Sequence, residues 1–188
     1  MRQLLIAGLG LALIASMPGA AQVADTAALP SQKIALDKFA WMDGTWRGPA
    51  VTKGPGGEHR VMQTERIGPM LGGTVRVIEG KGFNPDGSVG FNAFAVISWD
   101  APKQAYDFRS YAQGRSGDFT IRPTADGYVW EIPAGVMTIR YTATLKDGVW
   151  TEIGERVAPG QAPVQFFEMH LKRVGDTAWP NGGAMTPN

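Results

Sequence analysis

Two histidines and no cysteine in 188 residues leave few side chains that could carry chemistry. The missing cysteine excludes disulfides, thiolate zinc sites, thiol catalysis and a lipidated N-terminal cysteine. His59 follows Pro55-Gly56-Gly57-Glu58, a turn in which an imidazole is ordinarily solvated. His170 lies in the last predicted strand in the run Phe166-x-Glu168-x-His170, whose members share one face at period two, with Phe167, Met169 and Leu171 on the other. If the apolar set faces inward, Glu168 and His170 are surface residues. If the polar face lines a ligand cavity, they are site residues, because barrels wide enough to hold a ligand can have polar inner walls.

A second set pairs arginine with aromatic residues over several strands: Arg66, Arg76, Arg109, Tyr111, Trp130, Arg140, Tyr141 and Trp150. An aromatic cavity with one or two inward arginines would suit an amphiphile with an acidic head, held bidentately. Arg66, Arg109, Tyr111, Trp130, Arg140, Tyr141 and Trp150 are therefore the candidate ligand-binding residues. The competing reading leaves the arginines outside as rim charges and the tryptophans as core.

Catalytic signatures are missing. Gly114-Arg115-Ser116-Gly117 lacks the spacing of a nucleophile elbow, and Gly54-Pro55-Gly56-Gly57 lacks the lysine and helix of a phosphate loop. Glu152 and Glu155 fall on opposite faces of one strand and cannot form a facing carboxylate pair. No catalytic residue and no metal site is assigned.

The elements that must position these residues are organised around Phe39-Ala40-Trp41-Met42-Asp43-Gly44-Thr45-Trp46. Ser31 offers a helix cap, and Leu36, Phe39 and Ala40 recur at i, i+3, i+4 before Gly44 stops the helix. Trp46 then takes the first inward position of a strand. From there the periodicity is two, with ten strands expected at residues 46–52, 60–67, 74–83, 91–99, 105–112, 118–122, 128–132, 136–145, 149–157 and 164–174. Short Gly-, Pro- and Asp-rich connections favour antiparallel neighbours. A ten-stranded meander with one apolar face exposes two long edges unless it closes, so the expected fold is all-β: a closed antiparallel up-and-down barrel with a short N-terminal capping helix, first strand paired to last.

Ahead of the barrel, Met1-Arg2, the apolar run Leu4 to Ile14 and Ser16 to Ala21 have the three regions of a secretory signal peptide over residues 1–21. Residues 22–30 read as a linker, 31–175 as the barrel domain and 176–188 as a disordered tail. The expectation is an exported protein, periplasmic if the source is a Gram-negative bacterium, not inserted in a membrane after cleavage. Eighteen basic against seventeen acidic residues, a net charge of +1, provide no electrostatic footprint for nucleic acid.

The helix, Gly44-Thr45-Trp46, the ordered strands and the final Leu171-Lys172-Arg173 resemble the calycin superfamily, and within it lipocalin-like secreted bacterial domains of unknown function, with nitrobindin-type haem barrels more distant. The resemblance implies that Trp46 and Arg173 close the barrel base, cation against ring. It also supplies an alternative haem ligand, His170. In nitrobindin-like barrels the iron ligand precedes the basic end of the last strand, and alignment on Lys172-Arg173 puts that position on Phe166. His170 lies four residues further along, roughly 13 Å at about 3.3 Å per residue. The expected function is non-catalytic binding of a small apolar or amphipathic molecule without a cofactor; the alternatives are a haem protein and a structural envelope protein with a filled barrel.

Overall fold

The computed structural model describes residues 28–177. The expected signal peptide, the linker up to residue 27 and the tail from residue 178 lie outside the described residues. Helix α1 (Ala28–Leu36) runs directly into a 3-10 helix, Asp37–Met42. Ten strands follow: β1 (Gly44–Gly54), β2 (Gly57–Met70), β3 (Val75–Phe83), β4 (Val89–Asp100), β5 (Ala105–Ala112), β6 (Arg115–Pro123), β7 (Gly127–Ala134), β8 (Met137–Lys146), β9 (Val149–Val157) and β10 (Val164–Gly175). Each pairs antiparallel with its sequence neighbour, and β1 pairs with β10 through Trp46↔Arg173 and Ala50↔Met169, which closes the barrel. The turns follow their chemistry. Asp147 and Gly148 take φ of 51° and 74° between the paired Lys146 and Val149, the left-handed pair of a type I′ hairpin.

The N-terminal segment differs from the expectation in two details. Helix α1 starts at Ala28, so Ser31 is no cap; its hydroxyl donates to the Ala28 carbonyl at 2.8 Å. The segment also tightens to three residues per turn after Leu36, which puts Leu36, Phe39 and Met42 on one buried stripe and turns Ala40 out to solvent.

This segment plugs one end of the barrel. The Trp46 indole donates to the Met42 carbonyl at 2.8 Å, fixing the plug to β1. Arg76, 4% exposed, reaches in from β3 with Nε and Nη2 on the two Asp43 carboxylate oxygens at 2.7 and 2.9 Å and Nη1 on the Leu36 carbonyl. The Tyr106 hydroxyl donates to the Ala35 carbonyl at 2.9 Å. Trp41 of the plug, Tyr128, Trp150 and Trp46 form a ring cluster with centroids 5.4 to 6.2 Å apart, edge-on except for the stacked Trp41 and Tyr128. Gly44, at φ 131°, lets the chain enter β1 beneath Arg173: a Cβ there would lie 2.7 Å from the Arg173 Nε. Arg173 stands opposite Trp46 in the register and donates through Nε to the Asp43 carbonyl at 3.2 Å.

The opposite end is a mouth. The β1–β2 hairpin projects past the last pair between β2 and β3, Met62↔Phe83, carrying the exposed His59 with it. Strands β6 and β7 share only four pairs, from Pro123↔Tyr128 to Thr120↔Glu131, and splay towards this end. Pro133 explains the splay: it has no N–H to offer β6, so β7 behaves as an edge strand beyond Ile132.

Candidate functional site

Strand alternation sorts the candidate residues. On β2, Val61, Gln63, Glu65 and Ile67 point inward, so Arg66 points out, where its Nη2 meets Glu79 of β3 at 2.9 Å. Arg109 and Tyr111 are likewise outside on β5. The Arg109 Nη1 lies 2.6 Å from Asp118 of β6, and its Nε donates to the Tyr111 hydroxyl at 2.8 Å. Arg140 is outside on β8, 2.9 Å from Glu155. The expected inward arginine is therefore corrected: all three guanidiniums sit on the outer wall, each on a carboxylate of the adjoining strand, where water screens the charge that an interior would penalise. The acidic-amphiphile reading goes with them. Trp130, Tyr141 and Trp150 do face inward, Trp150 among the rings above the plug and the other two nearer the mouth.

The last strand contains the second correction. Its register with β9 slips between Gln165 and Phe167, a bulge at Phe166. The extra residue breaks the period of two, so Phe166 does not share the outer face of Glu168 and His170 but reaches the same inward ring as Phe167, with centroids 5.9 Å from Tyr141 in both cases. His170 is outside: Nδ1 lies 3.1 Å from the Thr151 hydroxyl and Nε2 2.7 Å from Glu168. His59 is exposed on the projecting hairpin. Neither imidazole faces the interior, so the alternative haem ligand, His170, does not stand where it could hold iron inside the barrel.

The interior of the barrel is lined by two layers of side chains. Towards the mouth it is aromatic. Trp130 stacks on Tyr141 with centroids 4.4 Å apart and planes at 8°, while Phe108 and Phe119 close on the other side at 5.1 and 5.7 Å. Phe119, Trp130, Tyr141 and Phe167 point inward yet remain partly exposed, so water reaches them from the mouth and through the β6–β7 splay. Above the rim, the Arg156 guanidinium lies over the Phe166 ring at 4.6 Å.

Below the rings lies a polar layer that the sequence did not single out. Gln63 Nε2 donates to Glu65 Oε1 at 2.7 Å, and the Tyr128 hydroxyl donates to Glu152 Oε2. Gln63 and Glu152 are 5% and 7% exposed. Glu65 lies across Gly80 of β3, where a Cβ would sit 2.8 Å from its carboxyl, so glycine there makes the room. Burial pushes the Glu65 carboxyl up to about 8; the Gln63 bond opposes the rise and the charge of Glu152 adds to it. Burial also pushes Glu152 up to about 7, against hydrogen bonds from Tyr128 and Trp130. No basic side chain is among the groups that shift either carboxyl. The signal was present in the alternation Val61-x-Gln63-x-Glu65-x-Ile67 and Trp150-x-Glu152-x-Gly154, where polar residues interrupt apolar faces.

The fold is similar to that in the crystal structure of Rv2717c from M. tuberculosis, with a TM-score of 0.56 and 12% identity over 74% of this chain and 97% of that one. At that identity the likeness is one of fold, a closed antiparallel β-barrel. No family model and no curated protein matches the chain.

Proposed function

We propose that the protein binds a small molecule with an apolar body inside the barrel, entering from the end opposite the helix, without catalysing a reaction. The observation that carries this reading is the set of inward aromatic rings, Phe119, Trp130, Tyr141 and Phe167, that keep contact with water at an otherwise closed barrel. Water on such surface is displaced favourably by an apolar body, at about 25 cal/mol per Å². The polar layer beneath orients what enters. The signal-peptide pattern of residues 1–21 supports an exported binding protein.

The neutral probe N-phenyl-1-naphthylamine tests this. Its fluorescence should rise on titration with the protein while the emission of Trp130 falls. Ala93→Trp, which fills the interior from β4 opposite Gly80, should abolish both changes with the far-ultraviolet dichroism unaltered. An unchanged titration in that variant, or no response in the parent protein, would instead support a barrel filled by its own side chains.

A further inference from the structure

The polar layer is chemically incomplete. Two carboxyls from β2 and β9 face the interior, and their hydrogen-bond partners are a carboxamide, a phenol and an indole rather than cations. Such a pair holds protons that water-exposed carboxylates would have given up. An independent sign comes from Trp150, two residues before Glu152 on the same face. Its ring lies 6.2 Å from that of Tyr128, at the edge of this layer. The side chain is 1% exposed, and the N–H has no hydrogen-bond partner. A buried donor in that condition costs free energy until an acceptor reaches it. Around these groups stand the faces of Trp130 and Tyr141, which attract cations through their ring quadrupoles.

We propose that the ligand is an organic cation: a protonated amine seated between Glu65 and Glu152, its apolar body against Trp130 and Tyr141, and a hydroxyl or carbonyl beside the amine accepting from Trp150. The proposal rests on the interior being the binding site. An ammonium there meets aromatic faces and two carboxyls that can give up their protons to it as counter-charges, whereas a carboxylate ligand would find no counter-charge in the layer. The charged and titratable groups around the seat are Glu65 on β2, Glu79 acting through the wall from β3, Tyr128 on β7, Tyr141 on β8, and Glu152 and Arg156 on β9. The one cation in that set, Arg156, is at the rim over Phe166, clear of the carboxyls.

Three probes of one shape separate charge from shape: 2-amino-1-phenylethanol, 1-phenyl-1,2-ethanediol and mandelate, which are cation, neutral molecule and anion. Calorimetry on the intact protein should give the amine at least about tenfold tighter binding than the diol, about 1.4 kcal/mol, with mandelate weakest. Amine binding should release protons, seen as a heat that changes with the ionisation enthalpy of the buffer. Its affinity should rise from pH about 6 to about 8 as the carboxyls deprotonate. Glu65→Gln and Glu152→Gln should each erase most of the preference for the amine and the proton release, weakening the amine far more than the diol; two variants on different strands guard against one that fails to fold. Equal affinity for amine and diol, with N-phenyl-1-naphthylamine still bound, would overturn the cation and leave the interior site standing. Failure of every probe, the naphthylamine included, would overturn both.

Discussion

Glu65 and Glu152 carry the residue-scale consequences. In the unfolded chain a glutamate titrates near 4.3, whereas here burial raises the two carboxyls to about 8 and about 7. The folded protein therefore binds more protons than the unfolded chain across that interval, and stability falls as pH rises through it. The urea midpoint should be highest near pH 5, decline to about pH 8 and then level off as far as these two groups govern it. Glu65→Gln should flatten the decline and raise the midpoint at pH 8, since an amide has no charge to desolvate. A midpoint unchanged between pH 5 and 8 in the parent protein would show that the carboxyls are not held neutral. The same residues explain why the site was hard to read. Arg140 and Tyr141 are adjacent and so face opposite ways, and Arg109 and Tyr111 share a face that proves to be the outer one. Proximity in sequence to an aromatic residue thus carried no information about the interior, whereas a glutamate on an apolar face did.

The element that decides the architecture is the N-terminal plug, held by a buried cation and a partly exposed anion. Arg76 has a side chain 5% exposed against 32% for Asp43, so the two halves of the pair are not equivalent. Asp43→Ala leaves the guanidinium charged and buried with only the Leu36 carbonyl, at a cost of about 3 kcal/mol or more. Arg76→Met leaves a carboxylate that water can reach and an apolar chain of similar length, and should cost less. Chemical denaturation of both variants checks the order, and a larger loss for Arg76→Met would mean that the pair is not what fixes the plug. Trp46→Ala removes a ring 3% exposed and its bond to the Met42 carbonyl, and should cost about 3 to 5 kcal/mol. The Trp46 position was legible from Gly44-Thr45-Trp46 and from the change of period that follows. Arg76 was not, because a single charge in an alternating strand looks the same whether it meets water or a distant carboxylate.

At the scale of the whole molecule the barrel is graded from a closed end to an open one. All ten strands followed from alternation and turn chemistry, because both act within a few residues, and the closure of β1 on β10 from the hazard of two exposed edges. The bulge at Phe166 and the splay of β6 from β7 depend on how neighbouring strands fit, which no local pattern records. The splay has a dynamic consequence. Beyond Thr120↔Glu131 the two strands lack a shared ladder, and Pro133 prevents one from forming without rearrangement. Local opening there breaks few hydrogen bonds, whereas β1 and β2 share eleven paired positions from Gly44↔Ile67 to Gly54↔Gly57. Amide hydrogen exchange should therefore be fast at those residues of 115–119 whose N–H groups face β7, and slow in β1 and β2 between residues 44–50 and 61–67. Saturating N-phenyl-1-naphthylamine should slow exchange at the splay first, because Phe119 and Trp130 flank it and a bound body fixes both rings. Uniform protection along β6 and β7 would mean that the splay is sealed in solution and that ligands pass only through the mouth.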